Sequence, residues 1–225
     1  MANHVYATTR ITGNKESINK LYELLNSLDD NESYLNLINF LNDAPNDHID
    51  VIKELDRDVM CDNIGAKWLT VEEVSYVDDQ ELILNTTTAW GQPYEMWARL
   101  TAIDFEVEAS YADEMPNFMG YYIEGEDYGI DYQEMVDAIE KAVELIGSDL
   151  KEGVKTKSQV EDNYGEMIYE YALEDLVDGC RTDAPQMFFN DLEEQLDRMV
   201  DRYLDDGELN AEQHWGFVIT NDSVN

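Results

Sequence analysis

The sequence predicts an α+β protein. An antiparallel sheet with helices on one face covers residues 1–125, and an acidic, mainly helical region covers 126–225, with a final strand candidate placed to return to the sheet. Three observations predict this. "IDFEVEASYADEM", residues 103–115, alternates Phe105, Val107, Ala109 and Tyr111 with Asp104, Glu106, Glu108 and Ser110, the period of a strand with one packed and one wet face. Segments with apolar residues three and four apart intervene between such strands. After Gly125 the pattern changes to three long helical stretches, each followed by a glycine (Gly147, Gly179, Gly207) at a plausible C-cap.

The elements follow in order. "HVYATTRIT", 4–12, is a first strand, and Gly13 and Asn14 make its turn. Ile18, Leu21, Leu25 and Leu28 then mark a helix at 14–28. Residues 33–43 and 48–58 are two further short helices separated by "DAPND". Strands at 66–76 and 81–89 flank the turn "VDDQE". Pro93 near the first helical position opens a helix over 92–102. The alternating strand follows, with "NFMGYYIEG", 117–125, as its hairpin partner. Strand, helices, strand, strand, helix, strand, strand is close to a ferredoxin-like arrangement. Helices at 131–146, 158–178 and 185–206, then the apolar "HWGFVIT" at 214–220, complete the chain.

Composition supports a folded protein. The chain has 225 residues, enough for one large or two small domains, and 44% are hydrophobic, with 14 Tyr, 6 Phe and 4 Trp. An acidic disordered tail lacks such aromatics. Fifty-one acids against fourteen bases give a net charge of −37. That charge repels nucleic acid phosphates and anionic membrane alike, and attracts basic surfaces. Cys61 and Cys180 lie far apart and outside any metal motif, which predicts free thiols in a reducing cytoplasm, with a single disulfide as the alternative. The opening "MANHVYATTRITG" has no apolar signal core, so cytoplasmic localisation, in a host cell, is expected. Oligomeric state is left open, a homodimer included.

Four segments carry a resemblance: "MANHVYATTRITG", "CDNIGAKWLTVEE" around Trp68, "LNTTTAWGQPYEMWARL" and "FEVEASYADEMPNFMGYY". Over residues 1–125 the chain resembles the YubB-type ferredoxin-like domain family of plasmids and bacteriophages. The stretch "NIGAKW" stands where members usually carry a Trp-Gly pair before Lys-Trp. The resemblance implies a ferredoxin-like shape with no iron–sulfur cluster, an origin in a mobile element, and no catalytic residues. Fold alone does not give function.

Four kinds of chemistry are candidates. Glu124, Glu126, Asp127 and Asp131 gather around two glycines in "IEGEDYGIDY", an oxygen-rich loop suited to Ca²⁺ or Mg²⁺, against the plainer reading of a solvated acidic turn. Catalysis finds no constellation: His4, His48 and His214 are scattered and no triad is spaced for it. No catalytic residue, cofactor or metal is therefore assigned. Trp68, Trp90, Trp97 and Trp215 lie beside apolar runs, so core packing is expected rather than base stacking.

The fourth candidate is the acidity itself. From Leu100 to Glu140 there is no Lys or Arg, and the acids there include Asp104, Glu106, Glu108, Asp113, Glu114, Glu124, Glu126 and Asp127. A second base-free block, 158–180, repeats Asp162, Glu166, Glu170, Glu174 and Asp178 every four residues. A third row is Glu193, Asp197, Asp201 and Asp205. Like charges four apart weaken a helix by a few tenths of a kcal/mol per pair, so a sequence built only for stability would interleave Lys. Four helical residues advance about 6 Å and alternate strand residues about 6.7 Å. Each row is thus about half as dense in charge as one DNA strand, at one phosphate per about 3.4 Å, and two adjoining rows approach it. An i+4 row also drifts about 40° per step around its helix.

These rows are expected to bind a basic host protein. The expected role is a non-enzymatic DNA mimic of phage or plasmid origin that inhibits a host DNA-binding or defence protein, as anti-restriction and anti-CRISPR proteins do, without binding nucleic acid or membrane itself. Tyr121, Tyr122 and Tyr169 would be its exposed uncharged anchors. Competing readings are adaptation to high salt, plain solubility, a basic partner unrelated to DNA, a structural or assembly protein of a phage, and a small carboxylate-metal enzyme.

Overall fold

The computed structural model describes residues 3–42, 54–115, 117–147 and 157–205. The chain divides into two compact units, Met1–Gly129 with Pro185–Phe188, and Ile130–Ala184 with Phe189–Asn225. The elements run β1 (His4–Thr12), α1 (Lys15–Asn26), α2 (Asn31–Leu41), α3 (Arg57–Ile64), β2 (Leu69–Tyr76), β3 (Glu81–Ala89), α4 (Tyr94–Ala102), β4 (Glu106–Asp113), β5 (Phe118–Ile123), β6 (Glu126–Asp131), α5 (Tyr132–Gly147), α6 (Lys157–Asp178) and α7 (Gln186–Asp205).

The strands form one open sheet in the order β2-β3-β1-β4-β5-β6. The pairs β2–β3, β3–β1, β1–β4 and β4–β5 are antiparallel. Register fixes two faces. Val5, Ala7, Thr9 and Ile11 of β1 align with Thr88, Thr86, Leu84 and Leu82 of β3, and with Asp113, Tyr111, Ala109 and Val107 of β4. These side chains share the face covered by α1–α4, whose Ile18, Leu21, Leu25, Leu37, Ile38, Ile64, Trp97 and Leu100 complete one core. Period two on the strands meets periods three and four on the helices, so a single apolar layer forms between them.

Short polar side chains start the helices. Asn14, Asp30 and Asp56 each accept a hydrogen bond from the backbone N–H three residues on, at Ser17, Ser33 and Val59, which satisfies an otherwise orphaned donor. The expected helix at 48–58 differs from the structure. Residues 48–53 lie outside the described residues, and the helix observed is α3, at 57–64. Asp56 begins it and Gly65, at φ 93°, ends it; both residues are recognisable cap types.

A polar relay ties α2, α3 and α4 together. Buried Asn42 donates to Ile38 O at 2.9 Å and to Asn63 Oδ1 at 2.8 Å. Arg99 of α4 donates to Asn42 Oδ1 and, at 2.8 Å, to Asp62 O. Among the described residues no helix is long and apolar enough to cross a membrane, and Cys61 and Cys180 are free thiols.

Three further expectations are corrected. The "IEGEDYGIDY" segment is not a loop throughout: Glu124 and Gly125, at φ 53° and 85°, turn β5 directly into β6, the paired positive φ of a tight hairpin. Tyr121 and Tyr122 are not exposed anchors. They are 2% and 0% exposed, because Tyr122 faces the helices and Tyr121 stacks on Tyr128 with centroids 4.9 Å apart. Trp90 is not a core residue but 52% exposed, whereas Trp97 is wholly buried. The strand candidate at 214–220, and with it Trp215, lies outside the described residues.

In the second unit, α5 buries Met135, Ile139, Val143 and Ile146, and α6 buries Ile168, Ala172 and Leu176. Helix α7 buries Leu192, Leu196, Met199, Val200, Tyr203 and Leu204. Lys141 of α5 pairs with Asp175 of α6.

Candidate functional site

The acidic rows of α6 and α7 meet at Glu166, Asp197 and Asp201. On α6 the buried stripe Ile168, Ala172, Leu176 repeats every four residues, as the acids do. Stripe and row therefore drift around the helix in step, two residues apart and on opposite sides. The drift never carries the acids into the packed side, and Glu166, Glu170, Glu174 and Asp178 are all exposed. On α7, Glu193, Asp197 and Asp201 are exposed, each one residue past a buried Leu192, Leu196 or Val200, so that row runs along the flank of the packed side. Asp162 lies on α6 and Asp205 closes α7.

Glu166 of α6 and Asp197 and Asp201 of α7 line one groove of about 480 Å³, floored by Gly165, Tyr169, Val200 and Leu204. Tyr169 is half-buried rather than exposed, and burial, then the charges of Glu193 and Asp197, raise its phenol pKa. The seven exposed carboxylates of the two rows form no ion pair among the described residues; the nearby pairs are Arg181 with Asp183 and Arg198 with Glu194.

The acids of residues 104–127 are placed less uniformly. Asp104 precedes β4 in a left-handed conformation, φ 70°. Glu106 and Glu108 lie on the sheet face away from α1–α4, and Arg10 stands in register opposite Glu108 while its Nε pairs with Glu81 at 3.1 Å. Asp113 is a correction: it is 2% exposed on the helix-facing side and accepts from Asn117 Nδ2 and, at 3.4 Å, from Met115 N. It organises the β4–β5 turn and cannot meet a partner. Glu114 pairs with His4 Nδ1 at 3.2 Å. Glu124 and Glu126 are exposed at the β5–β6 turn.

Asp127 belongs to a second, unexpected site. A cleft of about 610 Å³ is lined by Gly65, Gly91, Gln92, Tyr94, Gly125, Glu126 and Asp127. Tyr111 Oη donates to Asp127 Oδ1 at 2.9 Å and Gln92 Nε2 donates to Oδ2 at 2.7 Å. Asp127 is exposed along its outer edge, yet desolvation by the cleft walls raises its carboxyl pKa, against the two hydrogen bonds that lower it. Tyr111 is raised too, chiefly by burial and then by the Asp127 charge, so it stays a neutral donor. Gly120 makes room for this pair, since a Cβ there would meet Tyr128 O at 2.2 Å and Tyr111 Oη at 2.5 Å. Gly65 does the same at the other wall: a Cβ there would lie 2.9 Å from the backbone nitrogens of Tyr94 and Glu95.

Sequence reasoning flagged Asp127 only as one acid of many. It missed Tyr111 and Gln92 because their partner is remote in sequence. Gly65 and "WGQP" at 90–93 were the available signals, as glycines mark close backbone approach.

Among the described residues no group of three or more His, Cys, Asp or Glu is placed to hold a metal ion. Comparison with family models, curated proteins and solved structures finds no match for the chain.

Proposed function

We propose that the chain is a non-enzymatic binding protein of a phage or plasmid that engages a basic, DNA-binding host protein as a DNA mimic, in the host cytoplasm. The observation that carries this reading is the convergence of Glu166 of one acid row with Asp197 and Asp201 of the other on one groove, in whose lining no base stands among the described residues. Two lines of charge spaced about 6 Å apart along their helices present together a density close to that of a phosphate strand. Rows of this kind steer a basic partner and reject nucleic acid. Half-buried Tyr169 supplies an uncharged contact between the acids.

A ferredoxin-like reading of the first unit is supported by its first four strands, which follow the order β2-β3-β1-β4 with helices after β1 and β3, the split βαβ pattern. The phage or plasmid origin rests on the YubB-type resemblance.

The test is capture of bacterial host proteins on the tagged full chain, eluted with duplex DNA at fixed ionic strength. Mimicry expects proteins that DNA displaces and that an E166Q/E170Q/D197N/D201N chain fails to capture. Captured proteins that ignore DNA would overturn mimicry.

A further inference from the structure

Trp90 breaks two rules at once. It is 52% exposed, and its backbone sits at φ 77°, a conformation that is a genuine outlier for a bulky side chain. Such strain persists only where the surroundings over-determine it, and it clusters at functional sites. Here Trp90 N donates to Asn3 O at 3.1 Å, and the neighbouring Lys67 N donates to Ala89 O at 3.3 Å. The backbone is thus held while the indole projects.

Two cations attend that indole. Arg57 Cζ lies 5.0 Å and Lys67 Nζ 4.6 Å from the ring centroid. The whole chain has fourteen bases, and two of them converge on the one strongly exposed tryptophan among the described residues. Trp90 and Lys67 also stand beside the cleft. Gly91 and Gly65 line it, and a Cβ on Gly91 would come 3.8 Å from Gly65 O. The cleft wall carries Gln92 and the Asp127 carboxylate, which Tyr111 and Gln92 hold in place while its remaining lone pairs stay open to further donors.

We propose that Trp90, Arg57, Lys67 and the adjoining cleft form a binding site for a nucleoside monophosphate. The base stacks on the Trp90 indole. Arg57 and Lys67 turn from the ring to the phosphate, for which charge-assisted hydrogen bonds are the stronger contact. Asp127 and Glu126 accept from sugar hydroxyls or base N–H groups, as carboxylates commonly do for a ribose diol. Net charge selects the size of the ligand: each further phosphate adds repulsion from a chain of charge −37, so a monophosphate is favoured over a polynucleotide. The site is independent of the acidic groove, and either can fail without the other.

The experiment is calorimetric titration of the full chain with AMP, GMP, CMP and UMP at roughly 0.15 M salt, where long-range repulsion is screened beyond about 8 Å, alongside adenosine and inorganic phosphate. At least one monophosphate is expected to bind more tightly than either fragment. W90G is expected to weaken it roughly tenfold to a hundredfold, the worth of one stacked base, while raising the melting temperature because glycine accepts φ 77° without strain. R57Q/K67Q is expected to reduce binding to that of the nucleoside. Absence of binding by all four at about 1 mM, inorganic phosphate binding as tightly as any of them, or unchanged binding by W90G overturns the proposal.

Discussion

Trp97 donates its indole N–H to Thr9 Oγ1 at 3.0 Å, with both residues wholly buried between β1 and α4. One strand over, Thr86 is 2% exposed on the same sheet face, and its hydroxyl finds no hydrogen-bond partner among the described residues. The same substitution should therefore act with opposite sign at the two positions. Thr9→Val leaves a buried N–H unsatisfied and is expected to cost about 1–3 kcal/mol. Thr86→Val removes an unpartnered hydroxyl at constant shape and is expected to stabilise by about 1 kcal/mol. Urea midpoints at unchanged slope measure both. Shifts of the same sign would refute this account of the core.

Asp127 ties stability to pH. Burial raises its folded-state pKa above the ordinary 3.8, so folding disfavours its charged form. The penalty is absent below the unfolded pKa and complete above the folded one, and it grows as pH rises between them. Asp127→Asn removes the titration. The stability of the native chain relative to D127N should improve as pH falls through that window and stay level at neutral pH. Thermal melts of both chains across this range provide the check, and a gap independent of pH contradicts it.

Gly120 and Gly129 make a second matched pair. A Cβ at Gly120 would meet Tyr128 O at 2.2 Å and Tyr111 Oη at 2.5 Å, whereas at Gly129 nothing lies nearer than 3.6 Å. Gly120→Ala must push β6 or the Tyr111 ring away and is expected to cost about 1–3 kcal/mol, the usual range for overpacking. Gly129→Ala should be close to neutral. Comparable melting temperatures for the two variants would remove Gly120 from its role behind the Tyr111–Asp127 pair.

Legibility in the sequence followed the range of the interaction. Alternation over 103–115 and leucine spacing over 14–28 are local signals, and β4 and α1 appear where they point. Helix α3 at 57–64 was not legible because its caps, Asp56 and Gly65, are single residues in a polar stretch. Strand β6 was missed because "EDYGID" carries too little apolar alternation to show a strand; what makes it one is pairing beside β5 after a tight turn. The row on α6 was legible as charge, but its full exposure depended on a buried stripe that drifts with it. The Tyr111–Asp127–Gln92 contact was illegible, since three elements converge there and none announces its partner. Trp90 looked like core because sequence shows its apolar neighbours and hides its φ.

The acid rows should weaken the fold they decorate. On α6, Glu166, Glu170, Glu174 and Asp178 make three like-charged pairs four residues apart, each costing about 0.2–0.5 kcal/mol. Asp178 closes the same helix, which has no base in its last turn, at the negative end of the helix dipole, for about 0.3–1 kcal/mol more. E166Q/E170Q/E174Q/D178N is therefore expected to be more stable than the native chain by about 1 kcal/mol at low salt. The difference should shrink as salt rises, since screening relieves exposed repulsion first. The native chain itself should gain melting temperature with added salt, as expected for a net charge of −37. Melting curves of both chains over a salt series decide the matter. A variant that is more stable, yet captures less of a basic partner, shows that the repulsion is kept for binding. A variant that is no more stable would mean that the rows cost the helix nothing, and tolerated repulsion would then cease to argue for function.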